Sequence, residues 1–201
     1  MKRIAIVGAG GHGKVVADLV RAGDAFEIAA FVDELATQRD GDLYLGAKVL
    51  AGADALSRAR KLGIDYALAG FGDCKARLGC CERLVAHGFE IVSAIHPRAI
   101  VSPDVVIGAG TVVCAGAIVG AAARLGESVI VNSAASVDHD CVLEDGVHLE
   151  PGAHLGPSVH VGRGTTIGLG AVVAKGRRIG AHARVGAGVV VRDDLADGAT
   201  V

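Results

Sequence analysis

The tripeptide Asp138-His139-Asp140 is the strongest candidate for catalysis in this sequence. A histidine beside a carboxylate suits a general base, because the carboxylate can fix the tautomer of the ring and stabilise the imidazolium. A charged surface turn has the same composition. The tripeptide alone therefore leaves both interpretations open.

A glycine-rich turn at residues 8–13, GAGGHG, is the second candidate. It follows the apolar run RIAIV at 3–7 and precedes a helical pattern, and Asp33 comes twenty residues after Gly13. This matches the dinucleotide fingerprint, in which glycines let the backbone approach a pyrophosphate. We favour a nucleotide or a nucleotide-sugar diphosphate, with NAD or a purely structural turn as alternatives. His12 could donate to such a ligand or be a solvent-exposed turn residue.

The element that must position His139 is a six-residue repeat. Every sixth residue from Ile95 to Val191 is Ile, Leu or Val, at seventeen positions without an insertion. The fourth residue after each aliphatic is small or β-branched except at Arg177 and Leu195. This period predicts a parallel β-helix in which three hexads make one triangular coil. Because such a prism has flat outer faces, we expect a homotrimer that buries them.

Residues 1–92 have a different pattern, in which strands alternate with helices. This indicates a small Rossmann-like parallel α/β domain with about four strands, followed by the β-helix domain over 93–201. NAD is disfavoured, because four strands are few for a dehydrogenase and no substrate domain follows. The predicted strands are 3–7, 28–32, 66–69 and 89–92, the predicted helices start after residue 13 and cover 53–62 and 74–86, and 35–52 is predicted as loop.

Three further histidines, His148, His154 and His160, are six residues apart. This spacing puts them on successive faces of the triangle, so they cannot converge on one metal within one chain. A zinc site would need ligands from neighbouring subunits, as in γ-class carbonic anhydrases, and we expect no metal. His139 and His148 are half a coil apart, so a site that uses both must be built across a subunit interface.

Composition excludes several classes of function. The net charge is −2 with no basic block and aromatic residues make up 3%, so we expect no nucleic-acid partner. No apolar stretch approaches the length of a membrane span, and the start is unlike a signal peptide. Five cysteines without a CxxC pair fit reduced thiols in a cytoplasmic protein. The few threonines of the repeat do not form the ladders of an ice-binding solenoid.

The sequence resembles the PglD/NeuD-type bacterial sugar acyltransferases along essentially its whole length. That family joins a Rossmann-like domain to a left-handed hexapeptide β-helix, so the resemblance implies the handedness. The matching stretches are GAGGHGKVVADLV, FVDE, GFGDCKAR and NSAASVDHDCVLEDGVHLEPGAHLGPSVHVG.

The resemblance also implies roles for individual residues. The catalytic base falls on His139, the acid that supports it on Asp140, and an active-site asparagine on Asn132. Positions that bind acetyl-CoA in the family fall on His148, Gly156, Leu169 and Ala187. Positions of the nucleotide-sugar pocket fall on Gly10, Gly11, His12, Asp33, Glu34 and Gly72.

The implied activity is acetyl-CoA-dependent N-acetylation of a nucleotide-linked 4-amino-deoxysugar, with UDP as the expected nucleotide. A backbone N–H such as that of Gly156 would receive the developing oxyanion. Sialic acid O-acetylation, as in the NeuD branch, and γ-carbonic anhydrase-like hydration are the alternatives. Gly10 stands where some relatives have Ser and Lys75 where the bacillosamine-pathway enzyme has an acid. The sequence ends at Val201, before the G-x-P-A-K-type tail common in the family.

Overall fold

The computed structural model describes residues 1–201 and divides into two compact units, Met1–Ala94 and Ile95–Val201. We refer to them as the first and the second domain. Each helix is too short or too polar to span a lipid bilayer.

The first domain alternates strands with helices. Its elements are β1 Lys2–Val7, α1 Gly11–Ala22, β2 Phe26–Asp33, a 3₁₀ turn Thr37–Arg39, β3 Leu43–Tyr44, β4 Ala47–Ala51, α2 Ala55–Lys61, β5 Tyr66–Ala69, α3 Cys74–Ala86 and β6 Glu90–Ile91. The strands form one sheet in the order β3-β4-β2-β1-β5-β6, parallel except for the β3–β4 pair. Helix α1 buries Val16, Ala17, Leu19 and Val20, at the three-to-four-residue spacing of an amphipathic helix.

The expectation of a loop at 35–52 and of four strands is wrong. The segment contains the 3₁₀ turn and the hairpin β3–β4, which add two strands to the sheet. The hairpin closes through Leu45 and Gly46, both with positive φ (48° and 80°). Two-residue turns of this kind usually have Asn or Gly at the first position. Leucine there hides the turn from sequence analysis.

The second domain consists of seventeen two-residue strands, β7 to β23. The second residue of each strand is the periodic aliphatic, so every predicted hexad forms a strand. The strands are β7 Ala94–Ile95, β8 Ile100–Val101, β9 Val106–Ile107, β10 Val112–Val113, β11 Ile118–Val119, β12 Arg124–Leu125, β13 Ile130–Val131, β14 Ser136–Val137, β15 Val142–Leu143, β16 His148–Leu149, β17 His154–Leu155, β18 His160–Val161, β19 Thr166–Ile167, β20 Val172–Val173, β21 Arg178–Ile179, β22 Arg184–Val185 and β23 Val190–Val191.

These strands form the three faces of a left-handed parallel β-helix. The first face contains β7, β10, β13, β16, β19 and β22; the second β8, β11, β14, β17, β20 and β23; the third β9, β12, β15, β18 and β21. Each residue pairs with the one eighteen positions later, as Ser136 does with His154. The periodic aliphatics fill the interior together with the small or β-branched residues that follow them by four positions. At the open first coil, Ile95 is 45% exposed.

Each turn of the prism needs one residue in the left-handed region. Positive φ recurs at every sixth position from Gly110 to Gly188. Glycine occupies most of these positions, and Asp140 is one of the non-glycine residues, with φ of 59°. Aspartate tolerates this conformation better than most residues. The residue after His139 is therefore held in a fixed turn.

Core packing should dominate the stability of the second domain. Leu149 is fully buried, whereas Leu169, in the same repeat, is 55% exposed. We expect Leu149→Ala to lower the free energy of unfolding by about 2–5 kcal/mol, because it leaves a cavity in the prism. Thermal melting followed by circular dichroism measures this loss. Leu169→Ala is the matched control, and an equal loss in both variants would contradict the assignment of the inner face.

Candidate active site

The glycine-rich turn between β1 and α1 uses its glycines in two ways. A Cβ on Gly13 would lie 2.1 Å from the carbonyl oxygen of Gly8, so this position excludes any side chain. A Cβ on Gly10 or Gly11 would meet no atom within 4 Å, so these two glycines face open space. Helix α1 begins at Gly11, and the N–H groups of its first turn and its dipole favour an anion there. The turn thus has room for a phosphate at Gly10 and Gly11.

Two side chains that sequence analysis missed hold the carbonyl groups of this turn. Arg39 Nη1 donates to the carbonyl oxygen of Ala9 at 2.9 Å, and the Tyr44 hydroxyl donates to that of Gly10 at 3.0 Å. The Arg39 guanidinium also lies over the Tyr44 ring, 5.0 Å from its centroid. Both residues come from the segment expected to be loop. No local motif marks them, because the contacts depend on how the hairpin folds back.

His12 is partly buried rather than solvent-exposed, which corrects that alternative. Burial, followed by the charge of Arg77, lowers the pKa of His12 to about 4. The ring is therefore neutral near pH 7. At this pH the ring can donate one hydrogen bond to a ligand or accept one, but it carries no positive charge for a phosphate.

Asp33 and Glu34 lie at the end of β2 beside a cavity of about 410 Å³, which is also lined by Phe71 and Arg83. Asp33 Oδ1 accepts hydrogen bonds from the backbone N–H groups of Leu35 and Ala36. Arg83 on α3 donates to Glu34 Oε2 through Nε at 3.2 Å and Nη2 at 3.0 Å. This ion pair spans 49 residues, and sequence analysis did not identify Arg83.

Gly72 lies in the loop between β5 and α3, which a buried arginine holds in place. Arg77 is fully buried, and its Nη1 donates to the carbonyl oxygens of Phe71 and Gly72 at 3.1 and 2.9 Å. Burial lowers the pKa of Arg77. The loop that lines the cavity is therefore anchored from inside the domain.

In the second domain, His139 and Asp140 form a close pair at the edge between the second and third faces. His139 Nδ1 lies 2.6 Å from Asp140 Oδ2, and the backbone N–H of His139 donates to Asp138 Oδ1 at 2.7 Å. Both side chains of the pair are more than half exposed. Because a carboxylate only accepts hydrogen bonds, the proton of a neutral ring is on Nδ1 and the lone pair of Nε2 is available. This is the arrangement of a solvent-accessible general base.

Within one chain, Asn132 and His139 lie on different edges of the prism. Asn132 lies at the edge between the first and second faces, where its Nδ2 is 3.3 Å from Nε2 of His148. Both side chains are buried, with exposures of 8% and 7%. The structure thus brings together two residues expected to have separate roles.

The expected oxyanion role of Gly156 is wrong. Its backbone N–H donates to the carbonyl oxygen of Val173 at 2.9 Å, in the ladder between adjacent coils. A Cβ at this position would lie 2.9 Å from the backbone nitrogen of Lys175, so glycine is needed for coil packing. Gly156 lies on the same edge as His139, but its N–H is already engaged.

The remaining candidates lie on the other edge of the second face. Leu169 and Ala187 are in turns between the first and second faces, eighteen residues apart, and both are exposed. His139 and Gly156 lie on the opposite edge. Between the edges, the second face exposes a stripe of Ile100, Ile118, Val172 and Val190, interrupted by a hydrogen-bonded Ser136–His154 pair. One chain therefore keeps the two groups of candidates apart.

The three evenly spaced histidines lie on three different faces, in β16, β17 and β18, as their spacing predicted. Their partners differ: His148 contacts Asn132, His154 contacts Ser136 Oγ at 2.8 Å, and His160 Nε2 contacts Glu144 Oε1 at 2.7 Å. The hydrogen bond from His160 lowers the pKa of Glu144.

The partly buried, neutral His12 predicts a pH dependence for the first domain. Its pKa is about 4 when folded, against 6.5 in the unfolded chain, so the unfolded state binds more protons between these values. The free energy of unfolding should therefore fall as the pH drops through this window, by about 2 kcal/mol between pH 7.5 and pH 5. Urea unfolding followed by tyrosine fluorescence measures it, because both tyrosines, Tyr44 and Tyr66, lie in this domain.

In His12→Asn this component of the pH dependence should disappear, whereas the exposed His87 provides a control. His87→Asn should keep the steep dependence of the parent protein. Equal pH dependence in the parent and in His12→Asn would contradict the assignment.

Comparison with known families matches both domains. Residues 3–84 match the PglD N-terminal domain, and residues 140–175 match the bacterial transferase hexapeptide family of six repeats. A curated relative, UDP-N-acetylbacillosamine N-acetyltransferase of Bacillus subtilis, is 39% identical over 105 residues. That alignment spans 51% of this chain and 46% of the relative, about half of each.

Two solved structures match over the full chain. One is PerB from Caulobacter crescentus in complex with CoA and GDP-perosamine, at 39% identity and a TM-score of 0.91, covering 100% of this chain and 93% of that one. The other is the acetyltransferase domain of PglB from Neisseria gonorrhoeae with acetyl coenzyme A, at 38% identity and a TM-score of 0.91, covering 100% and 95%. Because both of its domains match family models and PerB is 39% identical over 93% of its length, the chain belongs to the PglD/NeuD-type family of bacterial sugar acyltransferases.

Proposed function

We propose that this protein is an acetyltransferase that moves the acetyl group of acetyl-CoA to the amine of a nucleotide-linked amino sugar. The observation that carries the proposal is the His139–Asp140 pair, which presents Nε2 of an exposed imidazole at the edge of a β-helix. The curated relative is named an N-acetyltransferase, which supports an amine acceptor over the hydroxyl of sialic acid. PerB was solved with CoA and the PglB domain with acetyl coenzyme A, which supports acetyl-CoA as the donor.

The first domain binds the nucleotide sugar. Gly10 and Gly11 offer an open helix N-terminus for the diphosphate, and His12 contributes a neutral ring. Asp33 and Glu34 border the adjacent cavity, whose volume suits a nucleoside. UDP and GDP both fit this description, because one relative is named for a UDP-sugar and another was solved with GDP-perosamine.

The second domain acts as a homotrimer with acetyl-CoA between neighbouring subunits. Support comes from the second face, where exposed aliphatics lie between the two edges that carry candidate residues. An exposed apolar stripe is costly in water and marks an interaction surface. A neighbour packed on this face would bring its Leu169 and Ala187 edge to the His139 edge. The acetyl-CoA groove would then have one wall from each subunit.

The chemistry then follows from the protonation of His139. Asp140 holds the proton on Nδ1, so Nε2 takes a proton from the sugar amine as the amine nitrogen attacks the thioester carbonyl. The new C–N bond forms, the C–S bond breaks, and the proton passes to the departing CoA thiolate. Five cysteines without disulfides fit the reducing cytoplasm in which we place this reaction.

Removing the base should slow acetyl transfer. We expect His139→Ala to lower kcat by about 10²–10⁴-fold, the usual contribution of a general base. Asp140→Asn should cost less, because asparagine keeps the left-handed turn but loses the charge. The measurement is transfer of labelled acetyl from acetyl-CoA to a panel of UDP-, GDP-, dTDP- and CMP-linked amino sugars.

A control variant is Asp104→Asn, which removes an acid from another turn of the repeat. It should retain the activity of the parent. Activity of His139→Ala within a few-fold of the parent, or transfer to none of the amino sugars, would overturn the proposed function.

A further inference from the structure

The two histidines of the candidate site have partners of opposite chemistry. His139 contacts a carboxylate, which only accepts hydrogen bonds, at 2.6 Å. His148 contacts the side-chain amide of Asn132, with 3.3 Å between Nε2 and Nδ2. The partner of each ring determines where its proton can reside.

The orientation of the Asn132 amide is fixed by its own backbone neighbour. The N–H of Ser133 donates to Asn132 Oδ1 at 2.8 Å. A backbone N–H can only donate, so the atom it meets must be the oxygen, and the amide nitrogen must face His148. An amide nitrogen in turn only donates. Nε2 of His148 must therefore be the unprotonated acceptor.

We propose that Asn132 is a positioning residue that holds His148 as the neutral tautomer with its proton on Nδ1. His148 then serves as a fixed, uncharged group, and His139 alone of the two acts as the base. Burial adds to this effect, because His148 is 7% exposed and an imidazolium there would have little contact with water.

The repeat contains its own comparison. The residue that follows the inner aliphatic in four successive hexads is Asn132, Asp138, Glu144 and Glu150. Glu144 lies sixteen residues before His160, as Asn132 does before His148. There the carboxylate accepts from Nε2 at 2.7 Å, so the proton is on Nε2. The position after the inner aliphatic thus accommodates a carboxylate or an amide, and among these four hexads only Asn132 has the amide.

This inference is tested directly by the tautomer of each ring. In protein labelled with ¹⁵N-histidine, two-bond ¹⁵N–¹H spectra separate the Nδ1–H, Nε2–H and imidazolium forms. His148, assigned by its loss in His148→Gln, should show the neutral Nδ1–H form from about pH 5.5 to about pH 8. A protein in which His148 carries its proton on Nε2, or titrates near the ordinary value of about 6.5, would overturn the inference.

Exchange of the partner provides the second arm. Asn132→Asp should move the His148 proton to Nε2 and let the ring become charged as the pH falls, because the new carboxylate accepts and stabilises the cation. Glu144→Gln is the matched variant at the equivalent position, and should change the tautomer of His160 while leaving His148 unaltered. An unchanged His148 tautomer in Asn132→Asp contradicts the inference even if that variant is otherwise stable.

A kinetic arm rests on the proposed function. The pH profile of kcat/KM should contain one histidine ionisation in the parent protein and a second in Asn132→Asp, from His148. A structural role for Asn132 would lower activity without adding an ionisation. Absence of any acetyl transfer would reject the proposed function, whereas the spectra would still decide the tautomer.

Discussion

The strict six-residue register of the second domain is the constraint on which the candidate site depends. Each coil has eighteen residues, and backbone hydrogen bonds such as His148 N–H to Thr165 O, at 2.9 Å, hold every residue over its equivalent in the next coil. At each turn from Gly110 to Gly188, one residue has the left-handed backbone conformation, with positive φ. One inserted residue would turn the following inner aliphatics outward. His139 can therefore be exposed and still be held in place, because its position is set by the backbone.

The same register explains how identical side chains acquire different chemistry. Histidines at equivalent positions differ in the side chain that they contact in the preceding coil, which is Asn132 for His148 and Glu144 for His160. His139 instead pairs with the next residue in its turn, Asp140. Exposed pairs of this kind contribute little to stability. The effect of the His139–Asp140 pair is on the position of a proton, which in the proposed mechanism lets His139 act as the base.

Much of the fold could be predicted from the sequence, because its signals are periodic or local. The aliphatic repeat identified all seventeen strands, and apolar patterning identified β5 and α3 at their observed bounds. The hairpin β3–β4 was missed because Leu45 occupies a turn position that usually has Asn or Gly. The ion pair of Glu34 and Arg83 joins residues 49 positions apart and has no local signal. The oxyanion role expected of the Gly156 N–H was wrong, and the repeat itself excludes it, because stacked coils use this N–H in the backbone ladder between them.

In the mechanism that we propose, catalysis needs the His139 edge of one subunit and the Ala187 edge of its neighbour. Complementation tests it most directly, with His139→Ala and Ala187→Arg each inactive alone because each removes one side of every interface. When the two variants are refolded together, about one quarter of the interfaces in randomly mixed trimers should combine two intact edges. We predict that acetyl transfer returns to about that fraction of the parent level. If trimers shown to be mixed recover no activity, the active site is not shared between subunits.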